Sequence, residues 1–108
     1  FQVSYPNFIT HKKVTAKSVV LNSETNGVSL TDRIVIIEGA DPGFDWIFSK
    51  KIAGLITKYG GANSHMAIRC AEFGIPAAIG CGEQRYDLLL KVKQVHLDCA
   101  AGLVSPIH

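Results

Sequence analysis

Residues 57–80 read TKYGGANSHMAIRCAEFGIPAAIG, and this stretch predicts a glycine loop, a helix and a short strand in succession. Ser64 is a favoured N-cap residue, so the helix is expected to begin at His65. Gly74 suits the position that follows a helix, and Pro76 two residues later prevents the helix from continuing. The apolar letters AAIG at the end of the stretch are typical of a short buried strand.

Apolar runs on either side of this stretch predict the rest of a sheet. The run RIVII within 33–38 is continuous and has polar neighbours, which is the pattern of a strand covered on both faces. An Asn-Gly pair within 24–27 predicts a turn, and residues 86–92 fit either a helix or a strand. Strands are predicted at 14–21, 33–38, 54–57, 94–98 and 103–107, the last two forming a closing hairpin.

A second helix is predicted at 44–51, which reads FDWIFSKK. Phe44, Ile47 and Phe48 fall at positions i, i+3 and i+4, so they are expected to form one buried stripe. Trp46 is expected to join them in the core. Short strands interspersed with about two helices predict a compact, single-domain α/β fold.

Composition limits the classes of partner that this chain can have. It has 108 residues, 47% of them apolar and 19% charged, with a formal net charge of +2. The basic residues are scattered rather than arranged in a stripe, so nucleic-acid binding is not expected. No apolar run is long enough to span a bilayer, so no membrane partner is expected. We predict a leader or linker at 1–13 and one domain at 14–108.

The three cysteines, Cys70, Cys81 and Cys99, are odd in number and widely spaced. That usage favours reduced thiols in a cytoplasmic protein over a disulfide scaffold. No C-x-x-C or H-x-x-x-H pair occurs, so no metal site is expected. The apolar neighbours of all three cysteines predict small core residues.

His65 is the candidate for chemistry, because the start of a helix presents free N–H groups and the positive end of the helix dipole. This position disfavours imidazolium, so the ring keeps a lone pair for attack, and the same N–H groups would hold a phosphate. No carboxylate is expected beside the ring, since Glu72 is two turns away and predicted to be solvated. An isolated histidine suits a covalent carrier better than a hydrolase. The local pattern also fits a turn, a cap and a surface imidazole.

The loop ahead of the helix supplies the remaining candidates. Gly60 and Gly61 give the backbone freedom and leave room for a bulky partner to approach. Ser64 and Thr57 carry hydroxyls that could bond either the ring or a phosphate.

The stretch 57–80 resembles the phosphohistidine signature of the phosphoenolpyruvate-utilising enzymes, roughly T-x-x-G-G-x-x-S/T/C-H-x-A-I-x-x-R-x-x-G-I-P-A-V-x-G. The flanks agree more loosely, with a preceding A-G-L-I and a hairpin that reads V-H-L-D-C-A-A-G-L-V at 95–104. The resemblance covers nearly the whole chain from about Val14. Positions that match in register are Thr57, Gly60, Gly61, Ser64, His65, Ala67, Ile68, Gly74, Ile75, Pro76, Ala77 and Gly80.

One position departs from the family pattern. Many members carry an arginine six residues after the histidine, where this chain has Ala71. Arg69 stands two residues earlier, one helical turn from His65. It is either a substitute phosphate contact or a surface residue.

The resemblance implies a swivelling β/β/α domain of a larger enzyme, similar to phosphoenolpyruvate synthase or pyruvate phosphate dikinase. In such enzymes an ATP-grasp domain phosphorylates the histidine, and a (β/α)₈ barrel exchanges the phosphoryl group with pyruvate and phosphoenolpyruvate. ATP and Mg²⁺ are expected in those neighbouring domains, and this domain is expected to bind no cofactor and not to turn over alone. The resemblance implies a phosphoryl group on Nε2 of His65, with Thr57, Gly60, Gly61 and Ser64 as supporting residues, and Arg69 is a further candidate for supporting the phosphate.

Two other functions fit parts of the sequence. One is a non-catalytic module that retains the swivelling fold and binds an anion or a partner domain. The other is a metal or thiol site that joins His65 to Cys70 or Cys81, although helical spacing places His65 and Cys70 poorly for shared ligation. The presence of His65 favours the carrier, because a degenerate copy would be expected to lose that residue first.

Overall fold

A computed structural model describes residues 7–21, 30–39, 42–61 and 64–107 of the chain. The turn predicted at 24–27, residues 1–6 of the predicted leader and residues 62–63 of the glycine loop lie outside these ranges. Seven strands are described: β1 (Asn7–Ile9), β2 (Lys13–Val20), β3 (Ile34–Ile37), β4 (Gly54–Thr57), β5 (Ala77–Ile79), β6 (Gln94–Asp98) and β7 (Leu103–Ile107). The helices are a 3₁₀ helix (Pro42–Lys50), α1 (His65–Phe73) and α2 (Glu83–Leu89).

The strands form one mixed sheet in the order β1-β5-β4-β3-β2-β6-β7. Four consecutive strands, β5, β4, β3 and β2, are mutually parallel, while β1, β6 and β7 pair antiparallel to their neighbours. Strand β2 joins the parallel and antiparallel parts of the sheet, because its first five residues pair with β6 and its last three pair with β3. The predicted α/β class, the single domain and the closing hairpin are confirmed.

The middle of the sheet is buried on both faces, as the run RIVII predicted. All four residues of β3 have no exposed surface. Val35 and Ile37 pack with α1 and the 3₁₀ helix on one side, in a cluster that includes Met66 and Cys70. The alternate residues Ile34 and Ile36 pack on the other side with residues of α2 and β6. Period-two alternation in a strand covered by two layers accounts for these separate clusters.

The 3₁₀ helix corrects one core assignment. Ile47 and Phe48 are buried and Phe44 is half-buried, as the stripe predicted. Trp46 was expected in the core, but 48% of its surface is exposed. The reason is geometric: Trp46 lies between the stripe positions in sequence, so the helix turns it away from the sheet.

The N-terminal segment also differs from expectation. Residues 7–13 were assigned to a leader or linker, but β1 pairs with β5 at the edge of the sheet, with Phe8 opposite Ala78, and β2 already begins at Lys13. Phe8 packs against the core cluster that contains Ile34 and Ile36, and this contact holds the segment in the fold. Of the ambiguous region 86–92, residues 86–89 belong to α2, and residues 90–92 lie in the turn that follows it. None of the helices in the described ranges is both long and apolar enough to span a membrane.

Candidate functional site

The candidate site lies where two helices begin beside each other. The 3₁₀ helix follows β3 and α1 follows β4, and these two parallel strands are neighbours in the sheet. Parallel strands end at the same edge, so the first turns of both helices meet there. This edge carries Asp45 from the 3₁₀ helix and His65 from α1.

His65 is the first residue of α1, as predicted. Ser64 is the N-cap, with extended backbone, and its side-chain oxygen accepts a hydrogen bond from the Ala67 N–H at 3.3 Å. The helix ends at Gly74, which adopts the left-handed conformation with φ 67°. About 40% of the His65 side chain is exposed, so the ring is accessible from solvent. The serine hydroxyl therefore fixes the start of the helix rather than contacting the ring.

A carboxylate stands beside the ring, contrary to the sequence expectation. The Nε2 atom of His65 lies 2.8 Å from Oδ1 of Asp45. Hydrogen bonding from His65 is the main cause that lowers the pKa of Asp45 below its ordinary value; burial opposes the shift and Arg69 adds to it. An ionised carboxylate only accepts hydrogen bonds, so Nε2 carries the hydrogen in this arrangement.

Sequence reasoning missed Asp45 because it is 20 residues from His65 along the chain. From sequence alone, an acidic residue in the first turn of a helix indicates only a favourable interaction with the helix dipole. The signal that could have found Asp45 was the topology of the sheet. Asp45 is in the first turn of the helix after β3, and His65 is in the first turn of the helix after β4, the strand beside β3.

Arg69 is in the site, one turn along α1. Its Nε donates to Oδ1 of Asp45 at 3.0 Å, and its Nη1 donates to Glu72 at 3.3 Å. The guanidinium carbon also lies 4.8 Å from the ring centroid of Phe73 and 5.8 Å from that of Phe48. Arg69 is therefore held by two carboxylates and two aromatic faces, whereas Ala71, the departure from the family pattern, is exposed on the same helix.

Thr57 fixes the loop that precedes α1. Its side chain is buried, and its hydroxyl donates to the carbonyl oxygen of Tyr59 at 2.8 Å and accepts from the Gly80 N–H at 2.9 Å. Both hydrogen bonds are to backbone groups, so the hydroxyl ties the start of the loop to the end of β5. Two further backbone bonds, Cys81 N–H to Thr57 and Gly82 N–H to Lys58, strengthen the same junction.

The two glycines of the loop have different surroundings. Gly60 has φ 127°, a backbone conformation that residues with a side chain rarely adopt. Its carbonyl oxygen is so close to Gly80 that a Cβ added to Gly80 would lie less than 3.0 Å from that oxygen. Gly61 faces open space, with nothing within 4 Å of an added Cβ. The loop is thus anchored at Gly60 and open at Gly61.

The cysteines lie apart from this chemistry. All three are buried and unpaired, as predicted for small core residues. Burial raises the pKa of Cys70 to about 12 and that of Cys81 to about 11, which keeps both thiols protonated. Within 7–21, 30–39, 42–61 and 64–107, no group of three or more His, Cys, Asp and Glu side chains is arranged to hold a metal ion.

The fold and site define a class: an α/β domain that presents a histidine at the start of a helix, at the carboxyl edge of a parallel sheet. Residues 30–102 match the family described as PEP-utilising enzyme, mobile domain, where PEP is phosphoenolpyruvate. That match covers more than half of the sequence, and the chain belongs to this family.

Curated relatives agree with the family. The chain is 34% identical over 80 residues to the phosphoenolpyruvate synthases of Neisseria meningitidis serogroup B and Escherichia coli K12, a match that covers 74% of this chain and 10% of each enzyme. It is 37% identical over 62 residues to the rifampicin phosphotransferase of Bacillus cereus, covering 57% of this chain and 7% of that protein. The chain thus spans about a tenth of the length of the synthases that it matches.

A solved structure supports the architecture. The solution NMR structure of UPF0107 protein aligns with 97% of this chain and 98% of its own, with a TM-score of 0.70. At 15% sequence identity this likeness shows a shared fold alone.

Proposed function

We propose that this chain is a phosphohistidine carrier domain. It accepts a phosphoryl group on His65 and shuttles that group between an ATP site and a pyruvate or phosphoenolpyruvate site of a larger phosphotransferase. The observation that supports this most is the position of His65, first in α1 and about 40% exposed. A nucleophile that two different active sites must reach in turn has to be exposed and held on a rigid element.

The chemistry is a transfer in two halves. A lone pair of the imidazole attacks phosphorus, an N–P bond forms, and the bond from phosphorus to the leaving oxygen breaks with its electron pair. In the second half the acceptor attacks the same phosphorus and the N–P bond breaks. The start of α1 favours the anionic group between these steps, because first-turn N–H groups and the helix dipole face it.

Partner domains would supply what this chain lacks. The relatives named phosphoenolpyruvate synthase are about ten times longer than the match, which supports a setting in a larger enzyme. We propose that the partners are an ATP-grasp domain and a pyruvate- or phosphoenolpyruvate-binding barrel, and that ATP and Mg²⁺ bind there. Three unpaired, buried thiols support the cytoplasm as the compartment.

Labelling of the parent enzyme tests the carrier function. The enzyme is incubated with phosphoenolpyruvate or with ATP, and a mass gain that is labile in acid and stable in base is mapped by peptide analysis. We expect the label on His65 and its loss in His65→Ala. His11→Ala is the matched control, because His11 is exposed outside the site and its removal leaves labelling intact. No label, or equal labelling of His65→Ala, contradicts the proposal.

A further inference from the structure

One carboxylate oxygen occupies the centre of the site. Oδ1 of Asp45 lies 2.8 Å from Nε2 of His65 and 3.0 Å from Nε of Arg69. An oxygen of a phosphoryl group bound to Nε2 would lie close to the same nitrogen and accept hydrogen bonds from the same guanidinium. The carboxylate therefore stands where a phosphoryl group on this nitrogen would stand.

Arg69 is built to stay in place when its partner changes. Its guanidinium lies against the rings of Phe73 and Phe48 and donates to Glu72 as well as to Asp45. Loss of Asp45 would leave the aromatic contacts and the bond to Glu72, so the Nε donor would stay beside the position that Oδ1 of Asp45 occupies.

The exposure of Asp45 leaves room for its side chain to turn toward solvent. Asp45 comes from the 3₁₀ helix rather than from α1, and 43% of its side chain is exposed. A carboxylate and a phosphoryl dianion repel each other, so both cannot share Nε2 and Arg69. The start of α1 does not depend on Asp45, since Ser64 forms its cap.

We infer that Asp45 is a placeholder for the phosphoryl group: its carboxylate holds His65 and Arg69 in the unphosphorylated state and is displaced when Nε2 is phosphorylated. This inference rests on the proposed function and adds a positioning role for a residue outside the signature stretch. It also gives Arg69 a role as the phosphoryl contact, at a position different from the family's arginine.

Proton transfers at the two ring nitrogens accompany the displacement of Asp45. In the resting state Nε2 of His65 carries the ring hydrogen and donates a hydrogen bond to Asp45. Withdrawal of Asp45 lets water take that proton and return one to Nδ1, which restores the lone pair on Nε2. The lone pair forms the N–P bond, the bond from phosphorus to the leaving group breaks with its electron pair, and the Nδ1 proton passes to the leaving group or to water.

Chemical phosphorylation tests the placeholder without partner domains. Phosphoramidate, which releases ammonia as it gives up its phosphoryl group, is added to the 108-residue chain, and the rate at His65 is followed by mass and peptide mapping. We expect His65 to react about two- to fivefold faster in Asp45→Asn and Asp45→Ala, since an exposed ionic hydrogen bond is worth a factor of this order. The rate at exposed His11 in the same sample is the internal reference.

Glu72→Gln is the matched control for charge. It removes one negative charge that contacts Arg69 but does not touch His65. We expect its rate at His65 to equal that of the unaltered chain. An equal acceleration in Glu72→Gln, or an unchanged or slower rate in both Asp45 variants, overturns the placeholder.

A measurement on the unaltered chain avoids any effect of substitution on folding. The carboxyl carbon of Asp45 is titrated by NMR before and after phosphorylation with phosphoramidate. Displacement from His65 and Arg69 removes both donors, so we expect the pKa of Asp45 to rise on phosphorylation, and an unchanged pKa would refute displacement. If the parent enzyme fails to label His65 while both results hold, the carrier function fails and the placeholder stands.

Discussion

Replacement of Gly80 by alanine is the most demanding test of the site's architecture. Gly80 has φ 75°, and an added Cβ would lie closer than 3.0 Å to the carbonyl oxygen of Gly60. The left-handed conformation costs a non-glycine residue about 1–2 kcal/mol. The close approach to a backbone atom, which cannot rotate away as a side chain can, adds about 1–3 kcal/mol. We therefore expect Gly80→Ala to lower the free energy of unfolding by about 2–5 kcal/mol.

Two other glycines separate the contributions. Gly74→Ala has nearly the same backbone strain, at φ 67°, but its Cβ would meet only the flexible amino group of Lys12 at 3.4 Å. It is expected to cost about 1–2 kcal/mol. Gly61→Ala has nothing within 4 Å and no left-handed strain, so its stability is expected to be unchanged or up to about 1 kcal/mol higher.

Urea denaturation followed by circular dichroism gives the free energy of unfolding of each of the three variants, and the comparison requires equal m-values. The expected order of loss is Gly80, then Gly74, then Gly61. Gly80→Ala should also slow labelling of His65 in the parent enzyme, because the displaced carbonyl belongs to Gly60 in the loop ahead of α1. A loss for Gly80→Ala no greater than that for Gly74→Ala would refute the close contact between the two loops.

The cap of α1, the contacts of Asp45 and the buried thiols can each be tested separately. Ser64→Ala removes the hydroxyl that caps α1 and should cost about 1 kcal/mol in the same urea assay; a loss near zero would contradict the cap. Asp45 has a lowered pKa in the folded chain, so its stabilising effect is present above its ordinary pKa and is lost as the pH falls through the lower folded value. Asp45→Asn should flatten the acid side of a melting-temperature profile, and an unchanged acid side would contradict the hydrogen bonds. Burial raises the pKa of Cys70 to about 12 and of Cys81 to about 11, so an aromatic disulfide reagent at about pH 8 should leave both unmodified in the native chain and react in urea.

Local chemistry made part of this fold predictable. Ser64 and Gly74 set the two ends of α1 through their own preferences, and the run RIVII identified the central strand because no polar residue interrupts it. The position of His65 followed from Ser64 alone. These features depend on residues within a few positions of one another, which is the range over which sequence patterns act.

The unpredicted parts depend on contacts across the sheet. Asp45 meets His65 only because β3 and β4 are parallel neighbours, and no local pattern encodes that adjacency. The same adjacency of β3 and β4 brings Arg69 to Asp45, and the role of Arg69 as a phosphate contact stays a prediction. The predicted burial of Trp46 was wrong for a different reason. Aromatic residues are buried on average, but Trp46 lies between the stripe residues in sequence and is therefore turned toward solvent.

The exposed Trp46 gives this chain a built-in optical reporter. It is the chain's one tryptophan, it follows Asp45 directly, and 48% of its surface is open to solvent. Indole emission responds to the polarity around the ring, so the intrinsic fluorescence of the chain senses the surface that borders the candidate nucleophile. Any molecule that covers that surface, or any movement of the 3₁₀ helix, changes a signal that needs no label and has no second indole to obscure it.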